Sequence, residues 1–209
     1  MKIISLKRKG NDVVIILEDG SFIKIDYRTF VDFKLHKDFE LNEDLIELLS
    51  KESSFVKAKD SAFRLLARRL HSKKELKQKL QKKKYPLEVI EKVIDDFSDK
   101  SYLNDDEFAK LYAAEKIKKG KTGINKLQSE LSKRGINKKV IQDVINEIDS
   151  ENYFISLKEL AEKKLEQLKK KETDKRKLSS KLASHLASKG YEFDLIYKII
   201  RELDLDNEE

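Results

Sequence analysis

The sequence contains no cysteine and no tryptophan, only one proline and only three histidines. Without cysteine the chain has no disulfide, no thiol nucleophile and no thiolate metal site, and a reducing compartment is the expected setting. No uninterrupted apolar run approaches the ~18 residues that a transmembrane helix requires, and the N-terminus lacks the apolar core of a signal peptide. We therefore expect a soluble, cytoplasmic protein.

Sequence motifs of common catalytic and cofactor sites are also missing. His36, His71 and His185 lack the spacing of a metal-binding motif, so we expect surface or turn positions for them. Residues 119–123 contain glycine, lysine and threonine without the Walker spacing, and we interpret them as an exposed connection that can contact phosphate. We interpret the acidic run 105–107 as the first turn of a helix, where the helix dipole stabilises carboxylates, and not as a metal site. We predict no enzyme activity, no cofactor and no metal.

Positive charge is abundant and unevenly distributed. The net charge of the 209 residues is +7, and residues 57–100 carry 14 basic against 7 acidic side chains. Between Arg64 and Lys84 ten bases face one acid, Glu75. This asymmetry indicates an anionic partner, although a solvated helix surface in a lysine-rich protein has the same composition.

The first part of the chain has the alternating pattern of β-strands. In a strand over 13–17, Val13, Ile15 and Leu17 point to one face and the two residues between them to the other. Asp19-Gly20 then separates two β-branched runs, as in a tight type I′ hairpin. We predict a three-stranded antiparallel sheet at about residues 2–27. Three short strands are marginally stable alone, so helices should cover one face. We expect a short helix near residues 28–35 and a longer one that begins after Asn42, a predicted N-cap.

Three later segments share one apolar pattern, and the copies are related by shifts of 51 and 55 residues. Each copy has a helix with leucines four residues apart, a residue that ends it, and a second helix with a broad apolar stripe. Gly135 and Gly190 end the first helix in two copies, because glycine adopts the left-handed conformation at low cost. The shared apolar positions are Leu76, Leu80, Tyr85, Val89, Ile90, Val93, Ile94 and Phe97; Leu127, Leu131, Ile136, Val140, Ile141, Val144, Ile145 and Ile148; and Leu182, Leu186, Tyr191, Leu195, Ile196, Ile199, Ile200 and Leu203.

This internal repeat predicts three tandem three-helix units, since each copy is preceded by a further helix, at about residues 57–70, 105–118 and 154–170. The predicted fold is mainly α: the three-helix repeats form an elongated, curved solenoid, preceded by a small three-stranded antiparallel β-sheet with helices. The predicted domains are residues 1–56, the repeats 57–103, 104–152 and 153–204, and an acidic tail, 205–209.

Motifs in the helical part resemble those of RecX proteins. The run Arg64–Arg69 followed by Ser72–Leu76 resembles the hallmark of the family's first repeat. Residues 102–109, YLNDDEFA, resemble the family's YLxDxxFA segment, and residues 119–136 resemble its segment with Lys-Gly, Glu-Leu and a helix-ending Gly-Ile. The motifs occur in the family's order over about residues 57–204, and the N-terminal sheet resembles an extension of some longer members.

RecX proteins are modulators of the recombinase RecA. The resemblance implies binding to RecA or its filament on single-stranded DNA, with inhibition of ATP hydrolysis and strand exchange. A helical-repeat protein with a long concave surface suits the groove of a filament, and a basic first repeat suits sequence-independent contacts to phosphates. We expect a monomer with no membrane partner. Lys84 departs from the family, which usually has glycine there, so we expect the helix to end differently, near Pro86.

The predicted contact residues are basic side chains of the first two repeats. Lys73 and Lys77 lie one helical turn apart, outside the apolar stripe. Arg68 and Arg69 have an alternative structural explanation, as cations that stabilise a helix end and form salt bridges. The predicted partner- or DNA-binding set is Arg64, Arg68, Arg69, Lys73, Lys77, Lys133 and Arg134.

Two other functions fit the same sequence. A general nucleic-acid-binding repeat protein would bind DNA without RecA and with steep salt dependence. Aromatic residues for base stacking are sparse near the basic segment, Phe63 and Tyr85 aside. A protein–protein scaffold would need no nucleic acid, which the charge concentration disfavours. Glu75 and Glu130 precede core leucines, and we expect them to pair between helices.

Overall fold

The computed structural model describes residues 1–118 and 122–205. These residues form three β-strands followed by ten α-helices, which confirms the predicted mainly helical fold class with a small sheet. They divide into two compact units, Met1–Asn104 and Asp105–Glu209. Among the described residues, no helix has the length and apolar composition needed to cross a membrane.

The first unit opens with an antiparallel sheet of three strands, β1 (Ile3–Lys9), β2 (Asp12–Leu17) and β3 (Phe22–Asp26), paired in that order. Gly20, between β2 and β3, has a φ of 80°, but Asp19 stays outside the positive-φ region, so the predicted type I′ turn is wrong. The Asp19 carboxylate instead accepts hydrogen bonds from the N–H and hydroxyl of Ser21, at 3.0 and 2.7 Å, which shapes a longer loop.

One face of the sheet is buried, as the alternating pattern predicts. Ile15 and Ile25 are fully buried there together with Leu49 of the long helix that covers the sheet. That helix begins after Asn42, whose side chain accepts a hydrogen bond from the Leu45 N–H at 2.9 Å. The helices of the first unit are α1 (Tyr27–Asp32), α2 (Glu43–Leu66), α3 (Lys73–Lys82) and α4 (Leu87–Asp99).

The helix α2 is a single helix of 24 residues, whereas the sequence suggested two, one after Asn42 and one over 57–70. No glycine or proline interrupts this stretch, so the helix continues from the sheet to the first repeat. Ala58 and Ala62 are fully buried against the repeat's core. The predicted boundary between residues 56 and 57 therefore falls inside a continuous helix.

The second unit contains the other two repeats, and its cores are built from the predicted positions. The described parts of all three repeats bury or half-bury every one of the eight shared apolar positions. Of the predicted acidic tail, residues 206–209 lie outside the described residues, as do residues 119–121 of the predicted connection. The helices of this unit are α5 (Asp105–Lys118), α6 (Ile124–Lys133), α7 (Lys138–Asn146), α8 (Ser150–Lys169), α9 (Lys175–Ser188) and α10 (Phe193–Glu202).

In the first repeat the helix α3 ends as its counterparts in the other two repeats do, although it has lysine in place of glycine. Lys84 has a φ of 63°, beside 83° for Gly135 and 87° for Gly190. The N–H groups of Lys84 and the following residue donate to carbonyls of the last helical turn, as in a Schellman cap. The prediction of a different helix end near Pro86 is wrong, because the repeat geometry imposes the left-handed conformation even on a residue that adopts it at a cost.

Candidate nucleic-acid and partner surface

The basic segment of the first unit spans the end of α2, the whole of α3 and the turn before α4. The Ser72 hydroxyl accepts a hydrogen bond from the Glu75 N–H at 3.2 Å and so begins α3. Leu76 and Leu80 are fully buried and fix one face of α3 against the core. The basic residues of α3 therefore occupy its remaining faces.

Two of the predicted contact residues are exposed and without an ion pair. Arg64, in the last turn of α2, and Arg68, just beyond that helix, lie at the surface. Neither forms a salt bridge within residues 1–118 and 122–205. Lys73, at the start of α3, is also exposed. The guanidinium groups of Arg64 and Arg68 are thus available to an anionic partner.

Two other predicted residues are engaged inside the unit. The guanidinium of Arg69 lies 2.9 Å from the Glu75 carboxylate and donates to the Leu70 carbonyl at 2.8 Å. Lys77 is half-buried and forms an ion pair with Glu91 of α4. These contacts agree with the structural explanation of Arg69 and give Lys77 a similar one. An external anion would have to displace a carboxylate to reach either cation.

The predicted residues of the second repeat also differ in their surroundings. Lys133 is exposed at the end of α6. The guanidinium of Arg134 lies 4.4 Å from the centre of the Tyr112 ring and donates to the Glu130 carbonyl at 2.9 Å. Arg134 therefore contributes to packing between α5 and α6.

The Glu130 side chain pairs between helices, as predicted. Its carboxylate accepts a hydrogen bond from the Tyr112 hydroxyl and lies 3.7 Å from the Lys116 ammonium, both on α5. Burial alone would raise the pKa of Glu130, but the Tyr112 hydrogen bond and the nearby cations outweigh it and lower the pKa. This carboxylate therefore stays ionised as part of the α5–α6 contact.

Sequence reasoning left out four exposed lysines that the structure presents without a salt bridge in the described part of the chain. Lys74 lies on α3, on the face opposite Leu76. Lys82, Lys83 and Lys84 end α3 and form the turn before α4. The run of like charges at 82–84 was the signal that could have found three of them, since no acid stands next to this run in the sequence. We call Arg64, Arg68 and these four lysines the unpaired basic set; the lysines are Lys74, Lys82, Lys83 and Lys84.

The remaining titratable residues do not assemble into a metal site. No group of three or more His, Asp or Glu side chains is placed to hold a metal ion in the described ranges. The acidic run 105–107 forms the first turn of α5, as predicted. His71 is not at the surface: it is buried in the α2–α3 connection, with Nδ1 2.9 Å from the Arg69 carbonyl, and burial lowers its pKa.

Comparison with known families gives an independent view of the three repeats. The family descriptions "RecX, first three-helix domain", "RecX, second three-helix domain" and "RecX, third three-helix domain" match residues 58–97, 104–145 and 151–200 respectively. The matches follow the order of the repeats along the chain, and together they cover more than half of it.

Whole-chain relatives and solved structures agree with these matches. A protein of Clostridium perfringens (strain SM101 / Type A) named regulatory protein RecX is 33% identical over 94% of this chain and 92% of its own. A protein of the same name from Clostridioides difficile (strain 630) is 31% identical over 97% of this chain and 94% of its own. A crystal structure of regulatory protein RecX shares the fold, with a TM-score of 0.72, 20% identity and coverage of 96% and 98%. In the crystal structure of RecX from Lactobacillus salivarius the sequence is 25% identical and the TM-score is 0.63; the match covers 73% of this chain and 98% of that one. The chain therefore belongs to the RecX family.

Proposed function

We propose that this protein is a non-catalytic regulator that binds RecA, or the RecA filament on single-stranded DNA, and limits ATP hydrolysis and strand exchange. The observation that carries the proposal is the match of three consecutive three-helix units, in order, to the three RecX domains. We further propose that it acts in the cytoplasm as a monomer.

The charge of the first unit supports a contact with the anionic parts of such a filament. The unpaired basic set gives six cations on one unit that no carboxylate of the described chain neutralises. Contacts of Lys and Arg with phosphate are independent of sequence, which suits a regulator that acts wherever a filament forms. The same contacts make binding sensitive to salt.

The test is a titration of the protein into RecA, ATP and single-stranded DNA, with ATP turnover as the readout. Inhibition well below one copy per RecA supports regulation of the filament. A variant with Arg64, Arg68, Lys74 and Lys82 changed to Ala should lose most of it. The matched control removes the same charge from exposed positions of the second unit, with Lys163, Lys170, Lys171 and Arg176 changed to Ala, and should keep it. No inhibition at equimolar protein would refute the proposal.

A second function, general binding of nucleic acid without RecA, is favoured by the same unpaired basic set. The two functions differ in stoichiometry, because a competitor for phosphates inhibits only when it covers the DNA. Inhibition that appears only at DNA-saturating protein, together with equal effects on an unrelated DNA-dependent ATPase, would select this alternative.

A further inference from the structure

An aromatic cluster is partly exposed at the end of α4 in the first unit. Phe63 of α2 and Tyr102, which follows α4, both contact Phe97, with ring centroids 4.6 and 5.6 Å from that of Phe97 and 5.4 Å from each other. Phe97 is fully buried, whereas Phe63 and Tyr102 keep 43% and 50% of their surface exposed. The buried ring of Phe97 thus supports two rings that remain at the surface.

Turn geometry accounts for the position of Tyr102 but not for the second ring. Ser101 has a φ of 57°, and the Tyr102 N–H donates to the Phe97 carbonyl at 2.8 Å, so Tyr102 packs on Phe97 as in a Schellman cap. Any apolar side chain satisfies that contact. Phe63 comes from a different helix, and the part of its ring that stays in water contributes nothing to the core.

Three basic residues accompany the two rings along α2 and at the end of α4. The ammonium groups of Lys59 and Lys100 both pair with the carboxylate of Asp96, so two cations share one acid. Arg64 follows Phe63 along α2, is exposed, and forms no ion pair in the described residues. An anionic ligand that reached the rings would therefore meet Arg64 and the two lysines that share Asp96.

Two other acids near the end of α4 lie away from the rings. Asp95 and Asp99 are exposed two residues before and after Phe97. At 100° per residue they lie on the opposite side of the helix from Phe97. The face that carries the rings is thus the less acidic side of α4.

We propose that Phe63 and Tyr102 stack on an unpaired base of single-stranded DNA while the neighbouring cations contact the adjoining phosphates. Aromatic faces of bases and side chains stack with little dependence on sequence, and cations beside the rings neutralise the strand. The rings are already held by Phe97, so binding them costs little conformational freedom. The inference deepens the proposed function, because it names the part of the nucleoprotein filament that this face touches.

The absence of tryptophan from the chain allows a direct test of stacking. In a Tyr102→Trp variant of the full chain, a single indole replaces the ring and reports on stacking by its fluorescence. We expect oligothymidylate to quench this emission and an abasic strand of the same length to leave it nearly unchanged. The matched control is Phe193→Trp, at a residue of the second unit that is 67% exposed, and its emission should respond to neither strand.

Affinity provides a second measurement that does not depend on a reporter. Phe63→Leu and Tyr102→Leu keep an apolar contact with Phe97 but remove the flat ring. Each should weaken binding to oligothymidylate about fivefold or more, as expected for a lost stacking contact, and leave binding to the abasic strand unchanged. Tyr102→Phe should bind like the unaltered protein, because the ring and not the hydroxyl is used.

Three outcomes would overturn the inference. They are undetectable binding of oligothymidylate at low salt, a Tyr102→Trp emission that stays constant while anisotropy shows saturation, and equal quenching by the abasic strand. An emission change with RecA alone and none with DNA would instead assign the face to a protein. These experiments contain no ATPase step. Base-dependent quenching without inhibition of RecA would therefore retain the site and reject the proposed function. Inhibition of RecA without base-dependent quenching would retain the proposed function and reject the site.

Discussion

The backbone of Gly123 lies directly against that of Gly190 in the second unit. The Gly123 N–H donates to the Lys189 carbonyl at 2.9 Å, and the Asn125 N–H donates to the Gly190 carbonyl at 3.1 Å. A Cβ at Gly123 would stand 2.3 Å from the Gly190 carbonyl group and from the Tyr191 nitrogen. The start of α6 is thus attached to the end of α9 by backbone groups that only glycine allows to approach so closely.

We expect Gly123→Ala to lower the free energy of unfolding of the second unit by about 2 kcal/mol or more, because the added methyl overlaps backbone atoms that cannot rotate away. Its φ of −77° is ordinary for alanine, so the cost is steric alone. Gly10→Ala is the complementary control: its φ of 64° is strained for alanine, but a Cβ there meets nothing within 4 Å, so about 1 kcal/mol is expected. Urea unfolding followed by circular dichroism measures both, and equal losses would contradict the steric explanation.

The Tyr153 hydroxyl completes the same contact. It accepts a hydrogen bond from the Ile124 N–H at 3.0 Å and donates to the Glu192 carboxylate at 3.1 Å. Tyr153→Phe keeps the ring but leaves the Ile124 N–H without its partner, so we expect a loss of about 1–2 kcal/mol in urea unfolding. Tyr197→Phe, at an exposed position of α10, is the matched control and should change stability little. Equal stability of Tyr153→Phe and the unaltered protein would show that the hydroxyl is not needed.

Stability should fall at alkaline pH because of Tyr191. Burial, and next the charge of Glu192, raise the pKa of Tyr191 to about 12 from an ordinary value of 10.0. A raised folded-state pKa gives a contribution that is fully present below the unfolded pKa and is lost as pH rises from about 10 to about 12. Tyr191→Phe should therefore flatten the decline of the unfolding free energy across this window. Because lysines titrate there as well, the measurement is the difference between the two proteins, and parallel curves would contradict the prediction.

Sequence periodicity predicted the repeats well because burial in helices depends on local spacing. The leucines on the middle helix of each repeat, such as Leu76 and Leu127, are fully buried where the pattern requires. The contacts that the sequence did not predict join distant residues or depend on the backbone. Phe63 meets Tyr102 only through the packing of α2 on α4, and Gly123 meets Gly190 through the packing of two repeats. No local pattern marks such pairs.

The basic candidates illustrate the same limit at the surface. Charge alone does not separate Arg68 from Lys77, because pairing depends on which acid a neighbouring helix presents. Lys77 faces Glu91 of α4, whereas Arg68 follows the end of α2 and meets no carboxylate in the described residues. Of the predicted set, the structure thus separates exposed, unpaired cations from those used in packing.

Lys84→Gly should stabilise the protein by about 1 kcal/mol. Glycine adopts the left-handed conformation of this position without the steric cost that lysine bears, and no salt bridge is lost in the described part of the chain. Lys83→Gly removes the same charge one residue earlier, where φ is −85°, and should not stabilise. Thermal unfolding compares the two variants. Destabilisation by Lys84→Gly would mean that the lysine side chain contributes more than the backbone strain costs.

Salt dependence should distinguish the unpaired cations from the paired ones. If Arg68 contacts a phosphate, Arg68→Ala reduces the slope of log affinity for single-stranded DNA against log salt by about 0.7, because one fewer counterion is released. Lys77→Ala removes the same charge, but Glu91 already neutralises Lys77, so its slope should change less, and the broken surface ion pair should cost at most about 1 kcal/mol of stability. Anisotropy titrations at several salt concentrations measure both slopes. If Lys77→Ala reduced the slope as much as Arg68→Ala, the ion pair with Glu91 would have to open when DNA binds, and pairing in the free protein would no longer identify the contact residues.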